Sequence, residues 1–143
     1  MAHIKDIMTP NAETIQSSQT VKEAASRMKK RDVGILPVCE GNNFVGMITD
    51  RDITIRALAE DLNPAATTVG EIMTKNIASC YEDDSLEDAA TTMEQYKVRR
   101  LLVKNSEGMF TGIISLGDLA VHGSINLGAE ILKEVSQPAQ PER

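Results

Sequence analysis

Thr49-x-x-Asp52 and Ser115-x-x-Asp118 each place a hydroxyl three residues ahead of a carboxylate, twice in one chain. Each pair closes a similar stretch, Gly46-Met47-Ile48-Thr49-Asp50-Arg51-Asp52 in one case and Gly112-Ile113-Ile114-Ser115-Leu116-Gly117-Asp118 in the other. Both read as a glycine turn, a short buried strand and a helix start. The N-terminus of a helix presents free N–H groups and favours anions. Crossovers at strand ends are where α/β folds leave ligand crevices. The same spacing is also a helix cap, as at Thr20/Glu23 and Ser85/Asp88, where no ligand is expected. The pattern alone favours the cap. Its recurrence in a duplicated context moves the reading to binding, and one set of groups can do both.

Positive groups are distributed unequally about these pairs. Arg51 lies beside Asp52, whereas the second copy has Gly117 there and Leu116 in place of Asp50. Arg99 and Arg100 open a strand where the first copy has Gly34 and Ile35. Adjacent strand residues point to opposite faces, so one of the two arginines is expected to face a ligand. Other chemistry is sparse. Cys39 and Cys80 sit in apolar runs and read as buried free thiols. Only His3 and His122 could join them on a metal, so no metal site is expected. No Ser-His-Asp set, H-E-x-x-H helix, P-loop or Cys-His pair is present, and the chain is read as a non-enzyme.

The elements that must position these residues come from an internal repeat. Ile7-Met8-Thr9 returns as Ile72-Met73-Thr74, Ala24-Ala25 and Met28 as Ala89-Ala90 and Met93, and Leu36 and Val38 as Leu101 and Val103. The offset is 65 up to that point and 66 from Phe44/Phe110 onward, as Gly46/Gly112 and Asp52/Asp118 show. One slip in a long ordered match is the mark of duplication. Each copy predicts a short strand (12–16 and 77–81), a helix opened by a capping box, and two strands (35–39 and 44–49; 100–104 and 110–115). The helix stripes are Val21, Ala24, Ala25, Met28 and Leu86, Ala89, Ala90, Met93. A second helix opens at Asp50 and runs towards Leu62, ended by Asn63-Pro64. Its apolar residues Ile53, Ile55, Ala57, Leu58, Ala59 and Leu62 surround it, which predicts burial in a homodimer. The expected division is repeat 1 over 1–64, repeat 2 over 65–123, and a helix with a frayed tail over 124–143.

Composition narrows the function classes. The 143 residues carry a net charge of −6 and 3% aromatics with no Trp, which argues against nucleic-acid binding. No apolar run approaches the ~18 residues of a membrane span. The N-terminus lacks the apolar core of a signal peptide, so a cytoplasmic location is expected.

A duplicated β-α-β-β-α unit ending in G-h-[ST]-x-x-D resembles the cystathionine β-synthase (CBS) domain. A tandem pair of these is the Bateman module. The resemblance covers about Ile4 to His122. It is carried by Asp6-Ile7-Met8-Thr9, Glu71-Ile72-Met73-Thr74, the alanine-rich helices, Leu36-Pro37-Val38, Arg99-Arg100-Leu101 and the two glycine-to-aspartate stretches. It implies an α+β fold in which two pseudo-symmetric repeats pack as one pair, in a standalone bacterial protein. The implied function is regulatory: AMP, ADP, ATP, S-adenosylmethionine or NAD held in clefts between the repeats, acting on an unknown partner protein, with no cofactor. The alternative is a non-catalytic dimerisation scaffold with vestigial clefts. The resemblance implies that Thr49 and Asp52 bind ribose in one cleft, and Ser115 and Asp118 in the other. A carboxylate can accept from both hydroxyls of a cis-diol, and charge-assisted bonds are the stronger kind. It further implies that Arg99 or Arg100, with Arg51, reaches phosphate in the Asp52 cleft.

Overall fold

The computed structural model describes residues 2–122, Leu132 and Ser136. It divides into two compact units, one built from Ala12–Ile77, the other from Met1–Asn11 with Ala78–Arg143. The repeats as sequence and the units as packed bodies therefore differ at their leading ends. Each unit takes in the residues that lead into the other repeat.

The unit over Ala12–Ile77 follows the expected β-α-β-β-α order. Strand β2 (Ile15–Gln16) is parallel to β3 (Ile35–Glu40), which pairs antiparallel with β4 (Asn43–Thr49). Between β2 and β3, helix α2 (Val21–Arg31) starts at Thr20, whose hydroxyl accepts from Glu23 N at 3.1 Å. Only half of the predicted capping box forms, because the Glu23 carboxylate turns to Arg27 at 3.1 Å. Val21, Ala24 and Met28 are buried as predicted, but Ala25 faces solvent. After β4 come α3 (Asp50–Asp52) and a π-helical stretch over Ile53–Leu58. The wide winding shows in Ala59 N donating to Thr54 O, and Leu62 N to Ala57 O, both at 3.0 Å. Regular helix thus ends four residues short of Leu62. Asp61 is left-handed with φ 57°. A short helix α4 (Val69–Ile72) completes the unit, and Val69, Ile72 and Met73 join its core with Ile15, Leu36 and Ile48. These core residues stand ahead of the second repeat's first strand, yet they close the hydrophobic core of the first.

The other unit repeats the plan. Here α1 (Ile4–Ile7) and β1 (Thr9–Pro10) stand where α4 and its following residues stand in the first. Its sheet runs β1-β7-β6-β5, from β5 (Ser79–Tyr81), β6 (Arg100–Lys104) and β7 (Phe110–Ser115). Helix α5 (Leu86–Tyr96) carries a complete capping box, Ser85 N donating to Asp88 Oδ2 at 3.2 Å and Asp88 N to Ser85 Oγ at 3.1 Å. Its whole predicted stripe is buried. Helix α6 (Leu116–His122) follows β7. The predicted helix over 127–135 and the tail beyond lie outside the described residues, Leu132 and Ser136 excepted.

The slip in the repeat falls in the hairpins. Gly41-Asn42 makes a two-residue turn with Gly41 at φ 63°, whereas the second copy uses a longer turn closed by Gly108 at φ 80°. In that turn Asn105 Oδ1 accepts from Glu107 N and Met109 N, both at 3.0 Å.

Two glycines hold the leading segments close. A Cβ on Gly46 would lie 2.7 Å from Thr74 O, and one on Gly112 would lie 2.5 Å from Thr9 O. The backbone at Thr74 pairs with Met47 in both directions, at 2.7 and 2.9 Å, and Thr9 is in register with Ile113. The duplicated Ile-Met-Thr is thus the partner of the duplicated glycine strand within each unit.

Candidate functional site

Thr49 ends β4 in extended conformation and caps α3, its Oγ1 accepting from Asp52 N at 3.0 Å. Asp52 answers by accepting from Thr49 N through Oδ2, also at 3.0 Å. This is a capping box, so the simpler reading of the spacing is realised. Asp52 nevertheless has more around it than a cap needs. It is only 7% exposed. Thr74 Oγ1 donates between its two oxygens, 3.1 Å from Oδ1 and 3.2 Å from Oδ2. Arg56 Nε lies 3.8 Å from Oδ1, while Arg56 Nη1 donates to the carbonyls of Ile72 and Met73 at 3.3 Å each. Arg56 reaches Asp52 because it stands four positions on along the same helical face. Sequence reasoning gave no role to Thr74 or Arg56. Thr74 carried a signal, as the last residue of the duplicated Ile-Met-Thr, but its partner comes from elsewhere in the chain.

Arg51 shares an open depression of about 300 Å³ with Asp50, Thr54 and Ile55. Asp50 Oδ1 accepts from Arg51 N at 2.9 Å.

In the other unit Ser115 N donates to Asp118 Oδ2 at 2.9 Å, and Asp118 N to Ser115 Oγ at 3.0 Å. The cap is the same, but the surroundings are not. Asp118 is half-buried and, among the described residues, accepts from Ser115 alone. Thr9, the counterpart of Thr74, is exposed. His122, the counterpart of Arg56, is exposed at the end of α6.

Arg99 and Arg100 are both exposed. Arg100 stands opposite Ser115 in the β6–β7 register, and such partners project from the same face of a sheet. Arg99 accepts from Leu116 N through its carbonyl at 2.8 Å, and its Nη2 reaches Ser136 Oγ at 3.5 Å. The asymmetry between copies has a steric counterpart. A Cβ on Gly34 would lie 2.8 Å from Asp50 Oδ2, and the second copy, with Arg99 in place of Gly34, has Leu116 in place of Asp50. The structure therefore gathers Thr49, Arg51 and Asp52 in one unit, and Arg99, Arg100, Ser115 and Asp118 in the other.

Both thiols are buried, as predicted. Burial, helped by the Asp84 carboxylate, pushes Cys80 up to about 12, and burial also raises Cys39 against a hydrogen bond to Thr14. Neither is a nucleophile at neutral pH. The described residues hold no group of three or more His, Cys, Asp or Glu that could take a metal ion. None of their helices is long and apolar enough to cross a membrane. What the arrangement offers is two carboxylates, each fixed at a helix start beside a hydroxyl, suited to accepting hydrogen bonds.

The family model described as "CBS domain" matches twice, over residues 4–58 and 69–123. CBS domain-containing protein YhcV of Bacillus subtilis is 41% identical over 129 residues, 90% of this chain and 91% of that protein. Hypoxic response protein 1 of Mycobacterium tuberculosis is 32% identical over 139 residues, 96% of each. The crystal structure of Hypoxic Response Protein I with two coordinated zinc ions matches with TM-score 0.75 and 32% identity, over 85% of this chain and 98% of that one. CBSX2 in complex with AMP matches with TM-score 0.71 and 26% identity, over 89% and 98%. The CBS domain pair of protein MJ0100, in complex with 5-methylthioadenosine and S-adenosyl-L-methionine, matches with TM-score 0.73 and 30% identity, over 85% and 98%.

Proposed function

This chain belongs to the CBS-domain family as a tandem pair, and on that premise we propose that it is a regulatory module that binds an adenosine-containing ligand. Thr49 with Asp52, and Ser115 with Asp118, accept and orient the ribose hydroxyls. Arg51, with one of Arg99 and Arg100, serves phosphate where the ligand carries one. The observation that carries this reading is that two solved CBS pairs, matched over 98% of their length, hold AMP in one case and 5-methylthioadenosine with S-adenosylmethionine in the other. The common chemistry of those ligands is an adenosine group. The module acts on a regulated protein and not by turnover, and it works in the cytoplasm.

A thermal-shift panel of adenosine, AMP, ADP, ATP, S-adenosylmethionine and NAD tests the reading. A ligand at a hundred times its Kd adds about 2.7 kcal/mol to stability. Arginine suits phosphate because its planar fork donates two parallel hydrogen bonds and stays charged. Arg99→Ala or Arg100→Ala is therefore expected to weaken AMP by about 1.5–3 kcal/mol and leave adenosine nearly unchanged. A flat panel would favour the scaffold reading instead.

The same premise leads to a homodimer. Ile55, Leu58 and Leu62 are 49%, 72% and 41% exposed, although they sit on or just beyond one helical stretch that also buries Ala57. Covering such side chains contributes roughly 25 cal/mol per Å². Light scattering at micromolar concentration is expected to give twice the chain mass, and Leu58→Asp to halve it.

A further inference from the structure

We infer that Thr74 gates the Asp52 site: its hydroxyl holds the place on the carboxylate that a cis-diol would take, while Thr9, its counterpart in the other unit, is exposed. This rests on the diol reading above.

A carboxylate offers about four lone-pair positions over its two oxygens. On Asp52 the Thr49 amide takes one position of Oδ2, at 3.0 Å. Thr74 Oγ1 is nearly equidistant from the two oxygens, at 3.1 and 3.2 Å, so it sits off the open end of the carboxylate and between them. A donor pair that engages both oxygens approaches from that same end. A diol and the Thr74 hydroxyl therefore compete. Asp52 is only 7% exposed, which leaves little room to go around.

The gate cannot open by backbone withdrawal at low cost. Thr74 N donates to Met47 O at 2.7 Å, Met47 N donates to Thr74 O at 2.9 Å, and Arg56 holds the two preceding carbonyls. It opens by rotation of the threonine side chain, which moves between discrete staggered positions. The counterpart is built differently: Thr9 is exposed, and Asp118 accepts from Ser115 alone among the described residues. Among the described residues, one sequence motif, used twice, closes one site only.

Calorimetry with adenosine, which carries the diol and no phosphate, tests this on the full chain. Asp118→Ala leaves Asp52 as the remaining carboxylate. In that background Thr74→Val, and Thr74→Ala as a second variant, are expected to bind adenosine about ten- to a hundredfold tighter, the scale of one hydrogen bond to a charged group. Thr74→Ser restores the hydroxyl and with it the weaker binding. The gain is absent for 2′-deoxyadenosine, which lacks the diol; a merely structural role would not make that distinction. Unchanged or weaker adenosine binding in both variants, or an equal gain for 2′-deoxyadenosine, overturns the gate. If Asp52→Ala then abolishes the binding that remains, the diol reading survives without it. No adenosine binding by wild type or any variant overturns both.

Discussion

Asp52→Ala is expected to lower folding stability by about 1–3 kcal/mol, the penalty for stranding buried hydrogen-bond donors. The donors are the Thr49 amide and the Thr74 hydroxyl, both aimed at a carboxylate that is 7% exposed, and Arg56 is left with the carbonyls of Ile72 and Met73. Among the described residues, Asp118→Ala strands only the Ser115 amide, at a half-buried position. Its cost is that of a weakened cap, about 0.5–2 kcal/mol and at the lower end. Urea unfolding of both variants measures the difference. Diol binding responds separately. Each variant is expected to weaken adenosine at its own site by about 1.5–3 kcal/mol, roughly ten- to a hundredfold in Kd. If both fold less stably as stated yet bind adenosine like wild type, the hydroxyl–carboxylate pairs are helix caps and nothing more.

Gly112→Ala is expected to cost about 1–3 kcal/mol by overpacking, and Gly46→Ala a similar amount. The added methyl at 112 meets Thr9 O at 2.5 Å and Met8 Sδ at 2.9 Å; at 46 it meets Thr74 O at 2.7 Å and Met73 Sδ at 2.8 Å. A methionine sulfur can swing aside. A carbonyl oxygen held in strand pairing cannot, so the leading segment must lift from its sheet. Hydrogen exchange at Met47 and Thr74, which pair with each other, should rise in Gly46→Ala. Gly117→Ala is the internal control, because its nearest contact is Ser115 Oγ at 3.5 Å and the position is helical. That change should stabilise by roughly 0.5–1 kcal/mol, since glycine loses more freedom than alanine on entering a helix. A loss at Gly117→Ala equal to that at Gly112→Ala would show that steric contact with the leading segment is not the cause.

Periodicity and duplication were enough to determine the elements. Strands at Arg100–Lys104 and Phe110–Ser115 and the helix starts at Thr20 and Ser85 follow from local rules, because caps, turns and apolar stripes are satisfied within a few residues. The hydroxyl–carboxylate pairs were legible for the same reason: a capping box spans three residues, and its geometry is local. The fates of Glu23 and Ala25 were not, since each depends on neighbours outside its own turn. The tertiary structure alone decided that Val69, Ile72 and Met73 complete the core of the first repeat, and Ile4 that of the second. It also decided that Thr74 meets Asp52 while Thr9 faces solvent. Those residues are separated from their partners by stretches of chain that carry no periodic link between them. Two copies of one motif can therefore read alike in sequence and differ in the number of donors that reach each carboxylate.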